Sequence, residues 1–223
     1  MARQSGSGTK IVGFIVLALL IGVGFYAAII AQSALKMRDA GERLEAEASS
    51  LETSLKAGRL KDAYDSVVVI SDELALIDTE LNKARWTLAQ NIPYLSDDVT
   101  VCQEMASIGN DLSSNALLPV CRSLEAVLGG IPEHANDIDA KGLMDTVPAN
   151  LPALMASLKH ASDTASSCQA RAQALKPSHF DSVNAMEAEL REVCDSLIDA
   201  FASYENVLGV AGVTGDLLNV FRP

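Results

Sequence analysis

The chain is short of aromatic residues and of positive charge. Only 4% of its 223 residues are Phe, Trp or Tyr, and 17 Lys and Arg stand against 29 Asp and Glu, a net charge of −12. Ala and Leu together supply 60 residues. Few aromatics and many helix formers disfavour a β-sandwich. The acidic balance excludes a nucleic-acid partner, because such a protein needs a basic surface for phosphates.

The sequence also lacks the motifs that carry common chemistries. No CxxC, HExxH, phosphate-binding glycine loop or nucleophile elbow occurs. The loop that contains His134, Asp137 and Asp139 does not have the spacing of a calcium loop, and we interpret it as solvated. His160 and His179 have no second ligand at metal-binding spacing. We therefore predict no catalytic residue, no cofactor and no metal site, and a protein that is not an enzyme.

Long uncharged runs are absent except for one, from Ile11 to Ala31. Its 21 residues would form a helix of about 31 Å, which matches a hydrocarbon core of about 30 Å. The sequence thus predicts a transmembrane helix at 11–31. An uncleaved signal anchor is favoured because the run is longer than a signal peptide needs, although 31–33 would also serve as a cleavage site.

The polar head, residues 1–10, resembles the n-region of a signal sequence and predicts a cytoplasmic tail. The rest of the chain then lies outside the cell membrane, as a single-pass protein. Arg3 and Lys10 are the only charged residues before position 32, so residues 32–223 carry a net charge of −14. Anionic lipid headgroups should repel such a domain. Small residues four apart, Ala18 with Gly22 and Gly24 with Ala28, would permit self-association in the membrane.

Beyond the span, the apolar positions predict an all-α fold: an elongated antiparallel bundle that begins with a coiled-coil hairpin over 32–91. One predicted seam has steps of three and four residues: Leu60, Ala63, Val67, Ile70, Leu74, Ile77, Leu81, Ala84 and Leu88. Gly58 is the expected turn and Pro93 the expected stop. Acids off this seam are interpreted as a solvated face, namely Asp72, Glu73, Asp78 and Glu80, and Trp86 as a packing anchor.

Further helices of the extracytoplasmic bundle are predicted over 92–208, at 97–128, 150–175 and 179–208. Ser96 and Asp97 are the N-cap candidates of the first, and Pro119 should kink or divide it. Residues 129–149 are predicted to be a loop, with room for a short helix, and 209–223 a Gly-rich, flexible C-terminal segment.

Four cysteines, Cys102, Cys121, Cys168 and Cys194, could form two disulfides in an oxidising compartment. If 97–128 is one helix, Cys102 and Cys121 lie about 28 Å apart, too far for a bond. Each would then pair with Cys168 or Cys194. Four buried free thiols are the alternative.

The order of these features resembles a known family. A membrane helix runs into an Ala/Leu-rich hairpin that ends in RWTLAQNIPYLSDDVTVCQEM, and two Ala-rich helices lead to LLNVFRP. This resembles the N-terminal region of domain of unknown function 4012, found in Gram-positive envelope proteins. In that family the region leads into a larger globular domain, which these 223 residues do not include. The resemblance assigns no functional residue here.

These observations predict a membrane-anchored helical stalk or scaffold of the bacterial cell envelope. Its expected partners are the lipid bilayer and either a second copy of the chain or another envelope protein. A sensory, ligand-binding helical ectodomain is the alternative. A non-catalytic fragment of a larger envelope enzyme is the third.

Overall fold

A computed structural model describes the backbone of residues 7–92, 95–134 and 140–214, and the side chains of 32–92, 95–134 and 149–204. Every regular element in these ranges is helical, which confirms the predicted all-α class. The helices are α1 (Ser7–Lys56), α2 (Leu60–Leu81), α3 (Ala84–Ala89), α4 (Ser96–Asp111), α5 (Leu118–Leu128), α6 (Ala140–Gln173) and α7 (Asp181–Thr214), with a π-helical segment at Leu112–Leu117 between α4 and α5.

The first two helices form an antiparallel hairpin. Gly58 turns the chain with a φ of 66°, a conformation that costs residues with a Cβ atom more than it costs glycine. The amide of Arg59 then closes the end of α1 by a 2.9 Å hydrogen bond to the carbonyl of Ser54. Ion pairs and hydrogen bonds connect the two helices along their length.

The later helices are also antiparallel to their predecessors. The Asn110 amide reaches Asp78, and the hydroxyls of Ser71 and Ser114 lie 3.1 Å apart, so α4 runs back along α2. The Asn150 amide donates to the carbonyl of Ala126, which sets α6 against α5. These contacts confirm the helical bundle. It packs its main core between α4–α5, α6 and α7.

Small residues form the α6 side of that core. Ala161, Ala165, Cys168 and Ala172 recur at steps of three and four and are essentially inaccessible to solvent. Side chains of this size let helices approach closely, so the larger Ile108 and Phe201 from neighbouring helices fill the remaining space.

Several predicted boundaries are wrong. The seam that should reach Leu88 ends at Leu81, because the side chain of Asn82 binds both the carbonyl and the carboxylate of Asp78 and closes α2 there. Leu88 is exposed on the short α3. Helix α6 begins at Ala140, inside the predicted loop, and α7 extends to Thr214, inside the predicted flexible segment; residues 215–223 lie outside the described part of the chain.

Pro119 changes the hydrogen-bond register of its helix without ending it. Proline has no amide hydrogen to give to the carbonyl four residues earlier. The chain accommodates this by widening into the π-helical segment, where the Leu118 amide donates to the carbonyl of Ser113, five residues back. The expected N-caps Ser96 and Asp97 are wrong, because both lie inside α4 and the N-cap position is held by Leu95, whose side chain makes no capping bond.

Among the residues that the structure describes in full, no helix is both long and apolar enough to cross a membrane. The predicted span, residues 11–31, lies outside the side chains described, and its backbone belongs to α1.

Candidate functional site

A buried polar cluster lies where α1, α2 and α3 meet, and we call it the Glu80 junction. Its centre is the carboxylate of Glu80, which is buried near the end of α2. Ser33 of α1 donates to its Oε2 atom at 3.0 Å, and Arg85 of α3 donates to the same atom at 2.6 Å. Lys83 binds the Oε1 atom, and the Nζ of Lys36 lies 3.9 Å from it.

Trp86 completes this junction from α3. Its indole Nε1 donates to the hydroxyl of Ser33 at 3.3 Å, and Ser33 is itself buried. The hydrogen bond from Lys83 lowers the pKa of Glu80, with help from Ser33 and Arg85 and against the effect of burial. Glu80 therefore carries its negative charge at neutral pH and holds three helices to one point. The indole Nε1 of Trp86 thus ties α3 to α1, and the packing role of its ring stays a prediction.

The sequence interpretation of Glu80 as a solvated acid is wrong, and so is that of Glu73. Both carboxylates are buried on the side of α2 that faces α1, where Arg43 pairs with Glu73 at 3.1 Å. The two acids are seven residues apart, the spacing of one helical face. The sequence contains a signal for these buried acids in the cations that pair with them. They are Lys36 and Arg43 of α1, together with Lys83 and Arg85.

Another buried carboxylate, that of Asp98, fastens the connection between α6 and α7 to the start of α4. It accepts hydrogen bonds from the hydroxyl of Ser178 at 2.6 Å and from the amide of His179 at 2.8 Å. The ring of His179 lies 3.2 Å from its other oxygen. The Ser178 bond, followed by the His179 amide, lowers the pKa of Asp98.

Asp98, Ser178 and His179 contain the residue types of a catalytic triad but not its arrangement. In a triad the serine hydroxyl donates to the histidine, which the aspartate orients from the other side. Here the hydroxyl of Ser178 donates to Asp98 and accepts from the amide of Phe180. The hydroxyl is thus committed to holding the loop, and the cluster is a structural clamp.

An open cleft of about 340 Å³ lies between α4 and the end of α6. Its main cation, Arg171, is already paired with Glu104 at 2.7 Å and Asp111 at 2.5 Å, and it donates to Ser107. Lys176 at the rim lies 3.7 Å from Asp97. These pairs leave no surplus positive charge in the cleft for an anionic ligand.

The four cysteines are free thiols in the structure. Cys102 and Cys121 lie on the continuous helical stretch from α4 to α5, which is the condition under which the two are too far apart to form a disulfide. Cys168 on α6 and Cys194 on α7 lie in the same layer of the core. This register is set by Gln169, which binds Asp195, and by Arg191, which donates to the carbonyl of Ala172. The disulfides stay a prediction, and the register favours Cys168 with Cys194 over the cross-pairings expected from the sequence.

Burial raises the pKa of all four thiols, that of Cys168 to about 11. High thiol pKa values mean low reactivity, because the thiolate is the nucleophile. Within the fully described ranges, no group of three His, Cys, Asp or Glu side chains could hold a metal ion. His134 and His160 are exposed there, while Asp137 and Asp139 lie outside the described residues.

Comparison with known proteins finds no relative. No family model matches the chain. No curated protein and no solved structure is significantly similar to it. The resemblance to domain of unknown function 4012 therefore stays a prediction.

Proposed function

We propose that this protein is a membrane-anchored helical stalk of the bacterial cell envelope, with residues 32–223 outside the membrane. The observation that carries the proposal is the continuity of α1. One unbroken backbone helix, Ser7–Lys56, contains both the uncharged segment 11–31 and the first helix of the bundle. A transmembrane helix of this kind would pass directly into the stalk without a flexible linker.

The Glu80 junction supports this arrangement. Ser33 lies two residues after the last residue of the proposed span, and it is hydrogen-bonded to Glu80 and Trp86. A bundle fixed at this point would be held to its membrane helix by buried, charge-assisted bonds, which are stronger than neutral ones. Such a joint suits a protein that must keep a defined orientation to the membrane.

The dimensions support a spacer. From Ser33 to Lys56, α1 is about 35 Å long at about 1.5 Å per residue, and α2 returns along it. The cleft between α4 and α6 has its cations paired with acids, which supports a scaffold over a receptor for an anionic ligand. We also propose that the chain corresponds to the membrane-proximal region of the envelope family that it resembles.

Substitution at the centre of the proposed span tests the anchor. Each Arg near a helix centre disfavours insertion by about 2.5–3.5 kcal/mol, so the full chain with both Leu20→Arg and Ile21→Arg should move from the membrane to the soluble or aggregated fraction. The chain with Leu20→Ile and Ile21→Leu is the matched control and should stay with the membrane. Equal membrane retention of the double Arg variant and the unaltered protein, after an alkaline carbonate wash, would contradict the proposed anchor.

A further inference from the structure

We propose that one face of α7 binds a positively charged, amphipathic helix of another protein. This face, which we call the α7 stripe, carries six residues at alternating steps of four and three: Met186, Leu190, Val193, Leu197, Ala200 and Tyr204. Such spacing is that of a coiled-coil seam. The inference goes beyond the proposed stalk and does not depend on the membrane anchor.

The α7 stripe is distinct from the seam that α7 buries in the bundle. That buried seam has steps of seven residues: Glu187, Cys194 and Phe201. Each of these directly follows a member of the stripe, so the stripe lies about 100° away around the helix. Leu190 and Leu197 reach the edge of the core. The other large members, Met186, Val193 and Tyr204, are between 48% and 58% exposed. The bundle therefore covers only one edge of this second seam.

The middle of the stripe adjoins an open hollow of about 460 Å³ on the surface of α7. Four of its lining residues have the spacing i, i+3, i+4 and i+7: Glu189, Glu192, Val193 and Ser196. In a coiled coil, four residues of one helix form the hole that receives a side chain of the facing helix. The hollow thus offers a docking position for a side chain of a partner helix, with Val193 and two acids around it.

The charges beside the stripe are negative. Helix α7 contains seven Asp and Glu but a single Lys or Arg, which is Arg191. Arg191 binds the buried Glu187 and so does not neutralise the outer face. Within the part of the chain described in full, Glu189, Glu192 and Asp199 are exposed and have no ion-pair partner. Unpaired acids along one rim attract a cationic partner and repel an acidic one.

This charge pattern selects among the occupants of an apolar stripe. A second copy of α7 would bring further unpaired acids towards Glu189 and Glu192, and an anionic lipid surface would be repelled in the same way. A helix that carries apolar residues on one side and lysines beside them would cover Val193 and pair with both acids. The stripe therefore fits a cationic partner helix.

A designed peptide tests the inference on the unsubstituted full chain in a non-ionic detergent. The peptide is three heptads long, with Leu at positions a and d, Lys at e and g, and Ala and Gln elsewhere, and it carries one photoreactive benzophenone. We expect light to attach it within residues 186–204, as mapped by peptide mass spectrometry. The same peptide with Glu in place of Lys is the control and should not attach there. Absence of attachment within 186–204, or equal attachment of both peptides, would overturn the proposal.

Substitution of the acids tests whether the charge beside the stripe is what the peptide recognises. Glu189→Gln with Glu192→Gln should weaken binding of the Lys peptide by about fivefold or more and reduce its dependence on salt, because the paired charges are lost. Glu45→Gln with Asp72→Asn removes two exposed acids elsewhere and should change the affinity by less than about twofold. Equal effects of the two pairs would show general attraction to an acidic chain and would contradict a site on α7.

Substitution of the apolar residues tests the seam itself. Met186→Gln with Val193→Gln should also weaken binding by about fivefold or more, with an unchanged circular dichroism spectrum, because the facing leucines lose their contacts. Leu35→Gln with Leu55→Gln alters two exposed leucines of α1 and is the matched control. Cross-linking of two copies of the chain through 186–204 in the absence of peptide would identify a homodimer interface and would sink the proposal.

Discussion

Ser33 and Glu80, 47 residues apart in the sequence, are joined by a buried hydrogen bond of 3.0 Å. This bond connects the first buried position after the predicted membrane span to the last turn of α2. Arg85 and Trp86 attach α3 to the same pair. The structure thus fixes this end of the bundle through buried polar contacts.

Replacement of Glu80 by Gln should destabilise the folded chain. The change removes the negative charge between Lys83 and Arg85. Removal of one partner from a fully buried pair costs about 3–5 kcal/mol, but these cations are partly exposed, so we expect a loss of about 1–2 kcal/mol. Urea unfolding of the full chain in detergent measures it. Asp72→Asn, an exposed acid on the same helix, should change the free energy by less than about 0.5 kcal/mol; an equal effect from both would contradict the role of Glu80.

The free energy of unfolding should fall at acid pH because the carboxylates of Asp98 and Glu80 become protonated. The pKa of each carboxyl is lowered in the folded state, so each stabilises the fold above its unfolded pKa of about 4. This contribution is lost as the pH falls from there through the lowered folded pKa. The free energy of unfolding, measured between pH 7 and pH 2, should depend less on pH in Asp98→Asn. The exposed neighbour Asp97→Asn is the control, and identical pH curves for Asp98→Asn and the unaltered chain would refute the assignment.

The thiols should react in two classes. Cys102 and Cys121 are half-buried, whereas Cys168 and Cys194 are buried. With a pKa of about 11, Cys168 is ionised to about one part in a thousand at pH 8. In the reduced native chain, alkylation followed by peptide mass spectrometry should therefore modify Cys102 and Cys121 first. Modification of Cys168 or Cys194 before unfolding would contradict the packing of α6 against α7.

Peptide mapping of the unreduced protein tests the register. A disulfide, where one is present, should join Cys168 to Cys194, because the two share a core layer. A bond between Cys102 and Cys121 would contradict the continuous stretch from α4 to α5.

Two glycines should respond in opposite directions to alanine. Gly58 has a φ of 66°, and Gly58→Ala should destabilise the hairpin by about 1–2 kcal/mol. Gly41 lies within α1, where an added Cβ would meet nothing within 4 Å, so Gly41→Ala should stabilise by about 0.5–1 kcal/mol. Thermal unfolding of both variants measures the difference. Stabilisation by Gly58→Ala would show that the turn differs from the one described.

Helical periodicity predicted the all-α bundle because most long helices bury one regular stripe. It missed Glu73 and Glu80 because a single seam describes one buried face, whereas α2 packs against α1 on one side and α4 on the other. The end of α2 at Leu81 depends on how the Asn82 side chain folds back onto Asp78, which apolar spacing does not encode. The π-helical segment before Pro119 compensates for the hydrogen bond that proline cannot make. The sequence marks the proline but does not say whether the helix kinks, ends or widens there.

The candidate site was harder to predict than the fold. Asp98 was expected only to favour the positive end of its helix, but it holds a loop 80 residues further along the chain. A contact between residues so far apart in the sequence forms only because α6 runs antiparallel to α4 and ends beside its start. A single sequence gives no register for two helices, so neither Ser33 with Glu80 nor Asp98 with Ser178 could be paired from spacing.

The proposed topology is tested most directly by measuring on which side of the membrane the bundle lies. A reporter pair, one active only in the cytoplasm and one only outside, is fused after Pro223 of the full chain. We expect activity from the external reporter alone, with the tail at residues 1–10 inside. Activity from the cytoplasmic reporter alone would contradict it.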